Sequence, residues 1–180
     1  MPTVRTNYAS KRRALKHAGF SLVEALVVVM VILIIAAIAI PSLLHAKMRA
    51  NEAAALASVK TIQSAEILYN NTYPEIGFAS SLANLGSRGT TCERPTSTAA
   101  CIIMDDSLTS GIKSGYIFDI VGDGNKPSMA YTVNATPESA ATGRCSVTAD
   151  QGGNIAFVAP GTDPGGARSM GSGSGGGCNL

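Results

Sequence analysis

The sequence predicts an α+β protein in which a long N-terminal helix, half membrane-spanning and half amphipathic, packs on a roughly four-stranded antiparallel sheet. Three observations carry the prediction. Phe20 to Ile40 is an apolar run containing a single charge, Glu24. Ser42 to Asn71 continues without a helix breaker, and its apolar residues keep to one stripe. After Tyr116, short β-branched and aromatic runs alternate with clusters of Gly, Asp and Asn. Four segments result: a basic leader at 1–19, a spanning helix at 20–41, an amphipathic helix at 42–71, and a β-rich head at 72–180 with a Gly/Ser-rich tail.

The leader holds Arg5, Lys11, Arg12, Arg13 and Lys16 and no acid. Without it, nine Lys and Arg face twelve Asp and Glu, so the formal charge of +2 becomes −3 and the remaining chain is mildly acidic. Cations clustered just ahead of an apolar run mark its cytoplasmic end, which sends everything after Pro41 to the other side of the membrane. All four cysteines then lie in an oxidising compartment.

The twenty-one residues from Phe20 to Ile40 make roughly 30 Å of helix, enough to cross a bilayer. A lone carboxylate in such a span costs about 2.5 to 3.5 kcal/mol near the bilayer centre and less near an interface, so Glu24 needs a partner or a task. A conventional secretory signal peptide is the competing reading, with Ala37-Ile38-Ala39 as its cleavage site. Against it, the run exceeds the roughly 7 to 15 apolar residues of such a core and carries an acid near its start.

Gly19-Phe20-Ser21-Leu22-Val23-Glu24, followed by the unbroken apolar helix and Pro41, resembles the prepilin cleavage and methylation motif of type IV pilins and their secretion-system relatives. The resemblance implies a pilin fold. It also implies that a membrane-embedded peptidase cuts between Gly19 and Phe20 on the cytoplasmic side, and that the same enzyme methylates the new Phe20 amine. Phe20 and Glu24 stand four residues apart, so on a helix they share a face and their opposite charges attract. By resemblance, Glu24 neutralises the Phe20 ammonium of a neighbouring subunit and sets the register between subunits.

Pro41 lacks an amide donor and its ring crowds the carbonyl of Ala37, so a helix passing through it kinks or loses a bond. The resemblance adds that pilin helices loosen just before this proline on entering a filament. Beyond it, Ala55, Val59, Ile62 and Tyr69 fall on one stripe with Leu56 beside it, while Lys47, Arg49, Asn51, Lys60 and Gln63 lie elsewhere. That stripe needs a domain against it. The helix should end near Asn70-Asn71, ahead of Tyr73-Pro74.

In the head, Tyr73 to Gly86 reads as a turn with a short helix around Ser80 to Leu85. Tyr116–Val121, Ala130–Ala135, Arg144–Ala149 and Asn154–Val158 read as strands. Gly122 to Pro127 and Asp150 to Gly153 read as hairpin connections. Tyr73-Pro74, Leu82 to Gly86, Ser114 to Phe118 and Thr142 to Gly152 resemble, in order, stretches of major pilins. The acidic calcium loop of the major type II secretion pseudopilins has no counterpart, and Asp123-Gly124-Asn125 is more simply a turn.

Cys92, Cys101, Cys145 and Cys178 permit three pairings. Spacing favours Cys92 with Cys101 and Cys145 with Cys178, the second resembling the disulfide-bounded loop of many pilins. Closing some thirty residues of glycine-rich chain would contribute about 3 kcal/mol in the chain-entropy account. Zinc is disfavoured because no Cys-x-x-Cys is present. His17 lies in the leader and His45 just past the span, so neither can join a nucleophile on the sheet, and no phosphate-binding glycine loop occurs. No enzyme, metal or cofactor is expected. The expected partners are copies of the chain itself in a helical homopolymer, a prepilin peptidase/methyltransferase, an assembly platform in the inner membrane and, before assembly, lipid. Nucleic acid enters only by way of the filament. Asn134-Ala135-Thr136 is a sequon-like triplet.

Overall fold

A computed structural model describes residues 20–89 and 92–158. The chain divides into two compact units at Ile40 and Pro41, and one helix, α1 (Leu22–Thr72), has residues in both.

In the first unit the Ser21 carbonyl accepts from the Ala25 amide at 3.1 Å and α1 begins at Leu22. Valine, leucine and isoleucine cover every side of it, and they are exposed: Leu22 is 80% exposed and Ile38 75%. Helical propensity alone would not favour a run so rich in β-branched residues. A solvent without hydrogen-bond partners would, because there the helix satisfies its own backbone.

The second unit is the head. α1 contributes Ala55, Val59, Ile62, Ala65 and Tyr69 to its core, so the stripe read from the sequence is the buried face. Against it lies one five-stranded antiparallel sheet, β1 (Ile112–Lys113), β2 (Tyr116–Gly122), β3 (Tyr131–Pro137), β4 (Ser146–Asp150) and β5 (Ile155–Val158), ordered in sequence as a meander. The period-2 alternation of β2 puts Tyr116, Phe118 and Ile120 inward and Ile117, Asp119 and Val121 outward. Register carries the inward face across the sheet, since Phe118 pairs with Ala135, Ile120 with Val133, Ala135 with Val147 and Val133 with Ala149. Each large side chain sealed here contributes about 1.5 to 3 kcal/mol relative to exposure.

The sheet therefore has five strands where the sequence predicts roughly four. The extra strand, β1, is two residues long, too short to show a period. It exists because Ser114 and Gly115 both take positive φ, 52° and 73°, and form a two-residue primed turn that pairs Lys113 with Tyr116 and Ile112 with Ile117. Two short helices, α2 (Leu82–Leu85) and α3 (Asp106–Thr109), complete the described head. α3 is capped by Asp105, whose side chain accepts from the amides of Ser107 and Leu108.

Candidate functional site

The chemistry-bearing residues near the N-terminus are few. Phe20 lies two residues ahead of α1 and is 78% exposed. Glu24 sits in the first turn of α1, where the free amides and the helix dipole favour a negative charge, and it too is exposed. It is the single ionisable side chain between Phe20 and Ile40. Gly19, the expected cleavage partner of Phe20, lies outside the described residues. Pro41 is inside α1, and the helix continues through it to Thr72.

This sleeve has the properties of a surface awaiting another phase. Large hydrophobic residues from Leu26 to Ile35 are about half exposed or more, from 49% at Val28 to 64% at Leu33. Contiguous apolar area of that extent marks a membrane or protein interface.

In the head, Cys92 and Cys101 form a disulfide with Cα atoms 5.8 Å apart, the first of the two bonds favoured by spacing. Cys145 is buried, at 4% exposure. The pairing expected for it involves Cys178, which lies outside the described residues. No cluster of His, Cys, Asp and Glu that could hold a metal occurs among the described residues. Asp123 spends its carboxylate on its own loop, accepting from the backbone and side chain of Asn125, from Ser128 Oγ and from the Met129 amide. The Asn125 side chain above all, with those other donors, holds its pKa down to about 2. Asp150 does the same in the β4–β5 turn with Gly152 and Asn154. Asn134 lies mid-strand in β3 with its Oδ1 buried and without a partner.

Four polar residues of α1 that the stripe does not anticipate fasten the helix to the head. Asn51 Nδ2 donates to the Thr142 carbonyl at 2.9 Å and Gln63 Nε2 to the Asp150 carbonyl at 3.1 Å. Glu52 Oε1 accepts from the Arg144 amide and Glu66 Oε2 from the Ala79 amide, each at 2.8 Å. Glu66 is fully buried, and its Oε1 has no partner. Burial raises its pKa from the ordinary 4.5 to about 7 against the opposing pull of the Ala79 amide. The signal was present in the sequence: Glu66 stands four residues after Ile62 and three before Tyr69, on the apolar stripe itself.

Comparison with known proteins adds one finding. The model of the prokaryotic N-terminal methylation motif matches residues 15–40. No curated protein and no solved structure matches the chain. The matched stretch holds the Gly19-Phe20 junction, Glu24 and the apolar sleeve. With that motif at the head of a long helix and an antiparallel sheet behind it, the chain carries at residues 15–40 the prepilin leader signature of type IV pilins, on an α+β arrangement consistent with the pilin fold.

Proposed function

We propose that the chain is a structural subunit of a type IV pilus. The observation that carries this reading is the sleeve from Phe20 to Ile40, apolar on all sides and uncovered, whose one charge sits four residues from the junction in the methylation motif. The subunit first resides in the inner membrane with its basic leader in the cytoplasm. Water, delivered by the prepilin peptidase, splits the Gly19–Phe20 peptide bond, leaving a carboxylate on Gly19 and an ammonium on Phe20. Methylation of the Phe20 nitrogen keeps that amine basic.

An assembly platform in the inner membrane then draws the subunit out of the lipid. The sleeve exchanges lipid for the sleeves of other copies, a step with little hydrophobic driving force because both surroundings are apolar. Opposite charge therefore decides the register: the Glu24 carboxylate neutralises the Phe20 ammonium of a neighbour, worth most where the dielectric is low. Pro41, with no amide to give, lowers the cost of loosening the helix just ahead of it. A Cys145–Cys178 bond pins the glycine-rich tail of the head. The extracellular filament serves adhesion, twitching motility or DNA uptake.

Electron microscopy of sheared surface filaments, probed for this chain, tests the reading together with mass spectrometry of the N-terminus. Long filaments built of a chain that starts at methylated Phe20 are expected. Label confined to rare sites would instead mark a minor pilin or a pseudopilin. A membrane-bound chain that retains Met1, or one that starts at Ile40, overturns prepilin processing altogether.

A further inference from the structure

Glu66 is a carboxylate with no exposed surface, placed in the joint between α1 and the connection that follows it. One oxygen takes the Ala79 amide and the other takes nothing. The groups that face it are Tyr69 on its own helix with Tyr73 just beyond, and Tyr131 on β3, behind which stands Asp150. None of these is a cation. The one ion pair among the described residues joins Lys113 to Asp105.

Ala79 belongs to a run of backbone bonds that spreads from this point. The Phe78 amide donates to the Ser128 carbonyl at 3.1 Å and the Ser128 amide to the Ile76 carbonyl at 2.8 Å. Gly77, at φ +83°, bridges Ser128 so closely that a Cβ would collide with the Ser128 backbone. Ser128 Oγ in turn donates to Asp123 at 3.0 Å, which organises the β2–β3 loop. The ring of Phe78 packs on that of Tyr131 with centroids 4.8 Å apart. The connection after α1 and the β2–β3 loop are thus one hydrogen-bonded layer, tied to the helix through Glu66.

We propose that Glu66 is a proton-operated latch, which when protonated holds the 76–79 connection and the 123–129 loop closed on α1, and which when ionised loosens both. A buried carboxylate with an orphan oxygen and no cation is tolerated as the neutral acid; as an anion it draws water in, and the layer must part to admit it. The high pKa caused by burial agrees with this. The sign is fixed by linkage. Closed, the group titrates near 7; open to water it would titrate near 4.5. Opening therefore grows with pH between those values, by up to about tenfold per pH unit, and levels off above them. The latch does not depend on whether the chain polymerises.

Hydrogen exchange on the full-length chain in detergent micelles tests it, with rates corrected for the intrinsic pH dependence of exchange. The amides of Phe78, Ala79 and Ser128 should open about tenfold more per unit from pH 5 to 7, and the slope should vanish in Glu66→Gln, which preserves shape and the acceptor for Ala79. Equal slopes in the two proteins overturn the latch, as does protection of these amides equal to that of the Val133 amide in the sheet, which would mean that they open only by global unfolding. If the variant fails to fold, carbon-13 titration of the Glu66 carboxyl in the native chain decides. A midpoint near neutrality supports the latch, and one in the ordinary carboxylate range removes it.

Discussion

The two ends of α1 use the same residue types to opposite purposes. Ile32 and Ile35 are 57% and 61% exposed, whereas Ile62 is fully buried. Around the first pair the helix is apolar on every side, and around the second it is apolar on one. The difference shows where each half gets its stabilisation. The second half is covered by this chain's own sheet, so its hydrophobic residues stabilise the head. The first half is exposed among the described residues, so the free energy of burying it is available to lipid or to other chains. Substitutions in the two halves should therefore fail in different assays.

The largest separation is expected at Glu24. Glu24→Ala removes the sleeve's only side-chain charge, which eases membrane insertion. On the assembly proposed above, it also leaves the Phe20 ammonium of a neighbour without its counter-ion in an apolar core, where an unpaired charge is expensive. Filaments should be lost outright while membrane fractionation and thermal unfolding of the head stay unchanged. Normal filaments would separate Glu24 from assembly and collapse the contrast at its strongest point.

A matched pair sharpens it next. Ile62→Ala opens a cavity between α1 and the sheet and should destabilise the head by about 2 to 5 kcal/mol, read by chemical unfolding. Ile35→Ala, in the sleeve, should leave that unfolding curve where it is. Equal losses in the two variants would erase the contrast between the two halves of α1.

The third test turns on pH. Glu66 has a folded pKa of about 7 against 4.5 when exposed. The native state therefore binds the extra proton between those values, and stability falls as pH rises through the window, by an amount on the order of 3 kcal/mol, and is level above it. The aspartates act with the opposite sign and elsewhere. The folded pKa of Asp123 lies near 2 and that of Asp150 is also lowered, so their contribution is present above the ordinary carboxylate range and is lost only in stronger acid. Urea unfolding at pH 5 and pH 7.5 isolates the first effect, and Glu66→Gln should erase it.

How much of this was legible follows from the length over which each signal is written. The sleeve, its single acid and the α1 stripe each extend over several turns, and the strands at Tyr116, Tyr131, Ser146 and Ile155 each carry enough alternation to be read. β1 does not: two residues contain no period, and only the Ser114-Gly115 pair hints at the turn that creates it. α3 had a local signature in Asp105-Asp106-Ser107, a capping residue followed by an acidic first turn, that passes easily for loop. Glu66 was visible as an acid on an apolar stripe, but its meaning depends on Ala79 and Tyr131. Only tertiary packing brings those residues to it.

The smallest effect is expected at the Asp105–Lys113 pair, and it completes a comparison between two carboxylates of the head. Asp105 and Lys113 meet at 2.7 Å with side chains about 40% and 34% exposed. The Lys113 ammonium first, then Ser107, hold the Asp105 pKa well below its usual value. A lowered pKa looks like the mirror image of Glu66, yet it converts to much less stability. Water and salt screen the partially exposed pair, and the long lysine side chain gives up rotamer freedom to form it. Lys113→Ala should therefore cost no more than about 1 kcal/mol, and less at high salt. Asp105→Ala should cost more than Lys113→Ala, because it also strips the cap from α3. If Lys113→Ala instead destabilised the head as much as Ile62→Ala, the pair would have to be sealed from solvent, and the ranking of a buried lone acid above an exposed paired one would be reversed.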